Sequence, residues 1–348
     1  MMSIPIKGAT LVQLSLIDRF FRRLERLPIP PAISYALLAA AGALFLQTSL
    51  WVCGASRPGS LSVQALATGG WSFLSMAALH LCFAVGRESL DTFRPILPPG
   101  AAVYSQALKR LATVPTWGLA AAGVVGAIYM LVVVRQDPTF FGLAGAGACS
   151  DPIVMVIGWL NTTVILLNVS LGARDLAVVH GLHRDVPRIN IFDRRPLFAF
   201  SRLTSTIAIA TILLSYVFFL AFPTVTRNPV VYGFILVFNF PLAITAFALP
   251  LYGMHVRIAG EKDRLLSDAS LRLQAAVHSI HERMETGKLK DVERLNTLLS
   301  SLLSEERYIR TIPTWPWEPG ALRGLLTALF LPLAIFAAQR LIEEFLLS

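Results

Sequence analysis

The chain has 348 residues, 55% of them apolar and only 15% charged, and a mean hydropathy of +0.63. Soluble domains carry about 25% charged residues, so this composition excludes an ordinary water-soluble enzyme and makes the bilayer the expected solvent. The formal charge of +9 would suggest a nucleic-acid partner in a soluble protein, but its distribution along the chain points to membrane topology instead.

In chain order, the N-terminus lacks the short apolar core and small-residue cleavage site of a signal peptide. Residues 11–27 are amphipathic. Leu14, Ile17, Phe20, Phe21 and Leu24 share one helical face, and Arg19, Arg22, Arg23 and Arg26 supply the other. Such a helix is expected to lie in the membrane interface, its rings among acyl chains and its arginines at anionic headgroups. Pro28, Pro30 and Pro31 then stop it.

Seven apolar blocks follow, each near the length a helix needs to cross about 30 Å of hydrocarbon. They cover about Ile33–Val52, Ala65–Val85, Trp117–Val134, Ile153–Leu171, Thr204–Phe222, Val230–Met254 and Leu322–Leu341. With these spans, every Lys and Arg except Arg57, Arg135, Arg227 and Arg340 falls on one side. Every Asp and Glu except Asp137, Asp151, Glu343 and Glu344 falls there too. The whole excess of positive charge therefore sits on one face, which the positive-inside rule assigns to the cytoplasm. The N-terminus is then inside and the C-terminus outside.

Several spans carry distinguishing features. Gly118, Ala122 and Gly126 in span three have a small-xxx-small spacing that lets another helix approach closely. Phe140–Ala148, in the loop that follows, is Gly/Ala/Phe-rich and nearly uncharged, and is expected to pack as a plain apolar loop on the outer surface. Span four is the most polar, with Asn161, Thr162, Thr163, Asn168 and Ser170. Its helix is expected to continue into the cytoplasm through Arg174 and Asp175 to His183. Pro241 and Pro250 should kink span six.

Arg257–Arg310 is the one long stretch that is both charged and periodic. Leu265, Ala269, Leu273, Ala276, Val277, Ile280 and Met284 form one apolar stripe, and Val292, Leu295, Leu299, Leu302 and Leu303 form a second, with Thr286-Gly287-Lys288 between them. This pattern predicts a helical hairpin or a coiled coil with neighbouring subunits. Trp315 and Trp317, set among prolines, are expected to anchor the re-entry of the chain at headgroup level.

Three cysteines do not make a disulfide framework. Cys53 and Cys149 both fall on the outer side, where an oxidising compartment would permit a bridge. Nothing in the sequence brings them within bridging distance, so two unpaired thiols is the simpler expectation. Cys82 reads as a small buried apolar residue.

Two histidine pairs at i, i+3, His180 with His183 and His278 with His281 beside Glu282, have the spacing that helix-bundle metal sites use. Solvated or interfacial histidine is the simpler account, and no metal or other cofactor is assigned. Within the bilayer, Asn161, Thr162, Thr163, Asn168, Asn239 and His80 are the polar candidates. Buried polar groups there either glue helices together or line a hydrated path. No span carries a central Asp, Glu, Lys or Arg. No nucleotide loop, nucleophile elbow or dinucleotide fingerprint is present.

The phrases Ile191-Phe192-Asp193-Arg194-Arg195-Pro196-Leu197 and Ile312-Pro313-Thr314-Trp315-Pro316-Trp317 resemble those of uncharacterised prokaryotic polytopic membrane proteins, a resemblance that implies no activity. Seven spans, N inside and C outside, with a long cytoplasmic segment before the last, are similar in topology to the insect odorant and gustatory receptor channels. That family's last-span signature is not reproduced: Thr327 and Gln339 are present, but the spacing and the aromatic differ.

The fold class expected is thus all-α, a polytopic membrane protein with seven transmembrane helices and a cytoplasmic helical hairpin. Residues 1–31 form the amphipathic interfacial helix, 32–256 spans one to six, 257–312 the hairpin, and 313–348 the Trp/Pro anchor and span seven. In function the sequence favours a membrane conduit or ligand-gated channel-like protein of the inner (plasma) membrane. The alternatives are a sensor or assembly scaffold acting through the cytoplasmic helices and, further off, a His-ligated membrane metalloenzyme. The expected partners are the lipid bilayer, further copies of the chain and a cytoplasmic protein, not nucleic acid.

Overall fold

The computed structural model describes residues 15–97, 101–136, 149–186, 189–221, 229–285, 289–330 and 334, and among these every regular element is helical. Among the described residues, six helices are long and apolar enough to cross a membrane. They are α2 (Pro31–Val52), α3 (Val63–Phe93), α5 (Thr116–Gln136, preceded by α4, Ala101–Ala112), α6 (Asp151–Asp185), α8 (Ser201–Ala221) and α9 (Pro229–Glu285). A short α1 (Leu16–Glu25) precedes them, and a four-residue α7 (Arg194–Leu197) precedes α8. The expected seventh span, Leu322–Leu341, reaches beyond the described residues; a helix occupies 319–330. The Phe140–Ala148 loop and the Thr286–Lys288 turn also lie outside them.

The helix α1 begins with a capping box. Ser15 Oγ accepts the Asp18 amide at 3.1 Å, and Asp18 Oδ2 accepts the Ser15 amide at 3.1 Å and its hydroxyl at 2.9 Å. The other oxygen, Oδ1, accepts the amide of Val114 at 3.0 Å, so the same carboxylate ties α1 to the junction of α4 and α5. Part of its apolar face packs on the bundle. Ile17, Phe21 and Leu24 are buried against Tyr35, Leu79 and Phe83. The arginines occupy the exposed face. A bundle groove offers these rings denser packing than acyl chains do.

Helices α2 and α3 cross where Gly42 meets Gly69; a Cβ on either would land on the other's carbonyl oxygen, so glycine is required at both. The small residues of α5 divide. Ala122 is buried, and Gly126 lies against Thr163 and Trp159 of α6, but a Cβ at Gly118 would meet only Pro115 of its own turn.

Span six and the first hairpin helix are one element. The 57 residues of α9 run about 85 Å at 1.5 Å per residue, and the helix continues through Pro241 and Pro250. The helix α10 (Leu289–Thr311) folds back on it. Lys262 Nζ donates to the carbonyl oxygens of Arg310 and Ile312, each at 2.7 Å, placing a cation on the carbonyl end of α10. The hairpin covers much of its own stripes, burying Ala269 and Ala276, while Leu271, Met284, Leu298 and Leu303 stay exposed.

Cys53, following α2, and Cys149, preceding α6, form a disulfide with Cα atoms 5.5 Å apart. This overturns the expectation of two free thiols. The bundle brings together loops 96 residues apart in sequence, a proximity that local patterning cannot reveal. Cys82 is free and buried, as expected. The bridge follows the Val52 end of α2, whereas α1 packs against Tyr35 near its other end. Replacing both Cys53 and Cys149 by Ser should cost about 2–4 kcal/mol through loosening of the unfolded chain. The check is thermal unfolding in detergent, where Tm should fall and addition of reductant should reproduce the loss in the wild type alone.

Candidate functional site

The site is built on the pairing of α3 and α6, which run in the same direction. Asn161 Nδ2 donates to Thr68 O at 2.9 Å and Asn168 Nδ2 to Ser75 O at 3.1 Å, each pair 93 residues apart in sequence. The seven-residue step is therefore repeated on both helices, the register of left-handed helix pairing. One further step pairs the positions of Asp175 and Cys82. In hydrocarbon an amide without a partner is costly, and each bond of this kind is worth about 0.6–2 kcal/mol. Asn161 is more firmly held, because its Oδ1 also accepts the Ser72 hydroxyl.

Beside this pair lies a cavity of about 490 Å³ bounded by α3, α5, α6 and α8. Trp71, Ser75, Leu79 and Cys82 line it from α3, and Val125 and Tyr129 from α5. From α6 come Asn161, Thr162, Asn168 and Asp175 among others, and from α8 Ile207, Thr211, Leu214 and Phe218. The walls are mainly apolar. Asn161, Asn168 and Asp175 make a polar stripe on α6 spanning 14 residues, about 21 Å of helix. The buried carboxylate of Asp175, 1% exposed, is the residue that sequence reasoning missed. Arg174 contacts only its Oδ1, at 3.3 and 3.4 Å, and also donates to Thr113 O at 3.0 Å. The Arg-Asp dipeptide had suggested emergence into water. The seven-residue step from Asn168 was the signal that could have found Asp175.

The other polar candidates scatter. Thr162 shares the cavity, but Thr163 donates to Trp159 O within its own helix and packs against Gly126 of α5. Asn239 falls on α9, its side chain outside the described residues. His80 belongs to a separate polar cluster under α1. Its Nε2 lies 3.1 Å from Glu25 Oε1 and its Nδ1 3.1 Å from the Tyr35 hydroxyl, and its ring stacks on Phe21. A carboxylate can only accept, so Nε2 carries the proton and, in the neutral ring, Nδ1 accepts from Tyr35. Arg87 reaches the same Glu25 oxygen at 3.0 Å. Burial alone would raise the Glu25 pKa, but the hydrogen bonds from His80 and Arg87 outweigh it and hold the group below its ordinary 4.5.

The histidine pairs are not brought together. His183 is buried, with Nδ1 2.9 Å from Pro250 O, whereas His180 is exposed and His278, His281 and Glu282 lie exposed far along α9. Among the described residues no group of three or more His, Cys, Asp or Glu is placed to hold a metal ion. Trp315 stacks on His255 of α9 at 4.0 Å, and Trp317 packs against Phe247, so these indoles fasten the re-entering chain to α9.

A pH test follows from Glu25. A carboxylate with a depressed folded pKa stabilises above its unfolded value and loses that contribution as pH falls through the folded one. Glu25→Gln should therefore release α1 more readily than wild type at pH 7, read as faster proteolysis after the α1 arginines. The difference should shrink as pH falls below 4.5. Equal proteolysis at pH 7 would show that the cluster does not hold α1.

No protein-family model, no curated protein and no solved structure matches the chain, so the reading of the cavity rests on its own chemistry.

Proposed function

We propose that the chain is a multi-pass protein of the cell's inner (plasma) membrane and that the α3–α5–α6–α8 cavity is the ligand-binding part of a channel-like conduit. The observation that carries this reading is the stripe of Asn161, Asn168 and Asp175 along a cavity of ligand-binding size. Its length of about 21 Å is two thirds of a hydrocarbon core of about 30 Å. Polar groups at that depth are expensive and mark substrate or ion pathways.

Two independent features support one orientation. The basic loops, α1 and the hairpin share one end, which the positive-inside rule makes cytoplasmic. The disulfide occupies the other, where an oxidising compartment would sustain it.

A second reading, a sensor or assembly scaffold, is favoured by Leu271, Met284, Leu298 and Leu303, which the hairpin leaves exposed. A second copy or a cytoplasmic protein would cover them.

Two experiments separate the readings. In proteoliposomes, wild-type protein should pass K⁺ or a trapped cationic dye, and the cavity-filling changes Thr162→Trp and Ala210→Trp should lower that flux at least about tenfold, a factor equal to some 1.4 kcal/mol. No flux, or flux indifferent to filling, would refute the conduit. For the scaffold, Leu271→Glu with Leu298→Glu should shift the detergent-solubilised protein to a smaller species on light scattering without altering flux; unchanged mass would refute it.

A further inference from the structure

Apart from the weakly donating Cys82 thiol, the side-chain oxygens that the cavity presents below its mouth share one property. The Thr162 hydroxyl donates to Gly158 O and that of Thr211 to Ile207 O, both at 2.9 Å within their own helices, leaving only lone pairs to offer. Asn168 commits its amide nitrogen to two carbonyls, those of Ser75 and Val164, leaving Oδ1 as an acceptor. Asp175 is held by Arg174 on Oδ1 alone, so Oδ2 is a second carboxylate acceptor at the same wall. The donors nearby are withheld: Trp71 Nε1 and Ser75 Oγ have no partner but are sealed within the protein and expose no surface to the cavity. Tyr129, whose phenol can turn either way, stands at the rim.

The mouth faces lipid. Val125, Tyr129 and Val169 line the cavity yet are 51%, 47% and 63% exposed, which places the opening on the flank of the bundle between α5 and α8. A ligand reaching the cavity from this side comes out of the bilayer and must be largely apolar. Inside, it meets acceptors that only a donor can satisfy, because an acceptor placed against them would leave both groups unpaired in a medium where that is costly.

Building on the reading of the cavity as a ligand site, we infer that its ligand is a lipophilic amine: an apolar, ring- or chain-bearing molecule whose protonated nitrogen donates to Asp175 Oδ2 and whose hydroxyl or second N–H, about 10 Å away along α6, donates to Asn168 Oδ1 or Thr211 Oγ1. Hydrogen bonds with one charged partner are roughly twice as strong as neutral ones. The Arg174 guanidinium already balances the formal charge of Asp175, so selection works through open acceptors more than through net charge. An alcohol of the same shape is therefore a weaker ligand and an anion is no ligand.

The test is equilibrium binding to the full chain in nanodiscs at pH 7, using a radiolabelled phenylalkylamine that carries a hydroxyl about 10 Å from its nitrogen, the analogue with the amine replaced by an alcohol, and the analogue with it replaced by a sulfonate. The amine should bind one per chain, the alcohol about tenfold more weakly and the sulfonate not at all; one charge-assisted bond exchanged for a neutral one accounts for that ratio. Asp175→Asn should weaken the amine about tenfold and leave the alcohol within about twofold. Thr211→Val, which keeps the shape and needs no refolding of the pair α3–α6, should weaken both by about threefold. Sulfonate binding as tight as amine binding, or amine binding indifferent to Asp175→Asn and Thr211→Val alike, overturns the inference. If none of the three binds while K⁺ flux remains blocked by Thr162→Trp, the inference falls and the conduit stands. If binding and flux are both absent, both fall.

Discussion

Two side-chain amides, Asn161 and Asn168, fix how α3 and α6 lie against one another, and most of what is distinctive about the molecule follows from that register. Each donates to a carbonyl 93 residues earlier. A slip of either helix by one residue would turn both amides into hydrocarbon or into the α5 contact. Because the carbonyls on α3 already serve the helix, the amides add a second bond to groups that never leave their own ladder. The pairing is thus compatible with continuous helices on both sides. It also directs the third member of the stripe, Asp175, to the cavity wall instead of to the solvent its neighbour Arg174 approaches.

The same bundle logic settles the peripheral elements. Phe21 fills a groove formed by Tyr35, Leu79 and Phe83, and His80 beneath it links Glu25 to Tyr35. The Gly42–Gly69 crossing draws α2 onto α3, and the disulfide then ties the loop after α2 to the start of α6. Three independent constraints (an amide ladder, a glycine crossing and a covalent bridge) converge on the helices that wall the cavity.

Much of this was legible in sequence. Apolar block length placed six helices correctly, since the bilayer imposes both their length and internally satisfied backbone bonds. The continuation of α6, expected to His183, reaches Asp185, whereas the run of α3 on to Phe93 was less legible, because a charged residue beyond the apolar block does not break a helix. The hairpin followed from its two stripes, but α9's continuity from Pro229 to Glu285 did not, as proline removes a donor without dictating that a helix must end. Asn161, Asn168 and Thr162 were found by polarity alone, whereas Thr163 has the same polarity and turns away. Which face a residue takes is set by the neighbouring helix, and Asp175 and the Cys53–Cys149 bridge depended on just that long-range information.

The central claim is that one face of α6 borders a ligand-accessible cavity while the residues it turns toward the neighbouring helices are sealed. The most direct measurement is a cysteine scan of residues 158–175 in membranes, with Cys82 replaced by Ala and a water-soluble maleimide as reagent. The account predicts labelling at 162, 165, 168, 169 and 172, with 163, 167 and 171 silent. Labelling absent throughout, or spread evenly around the helix, would contradict it.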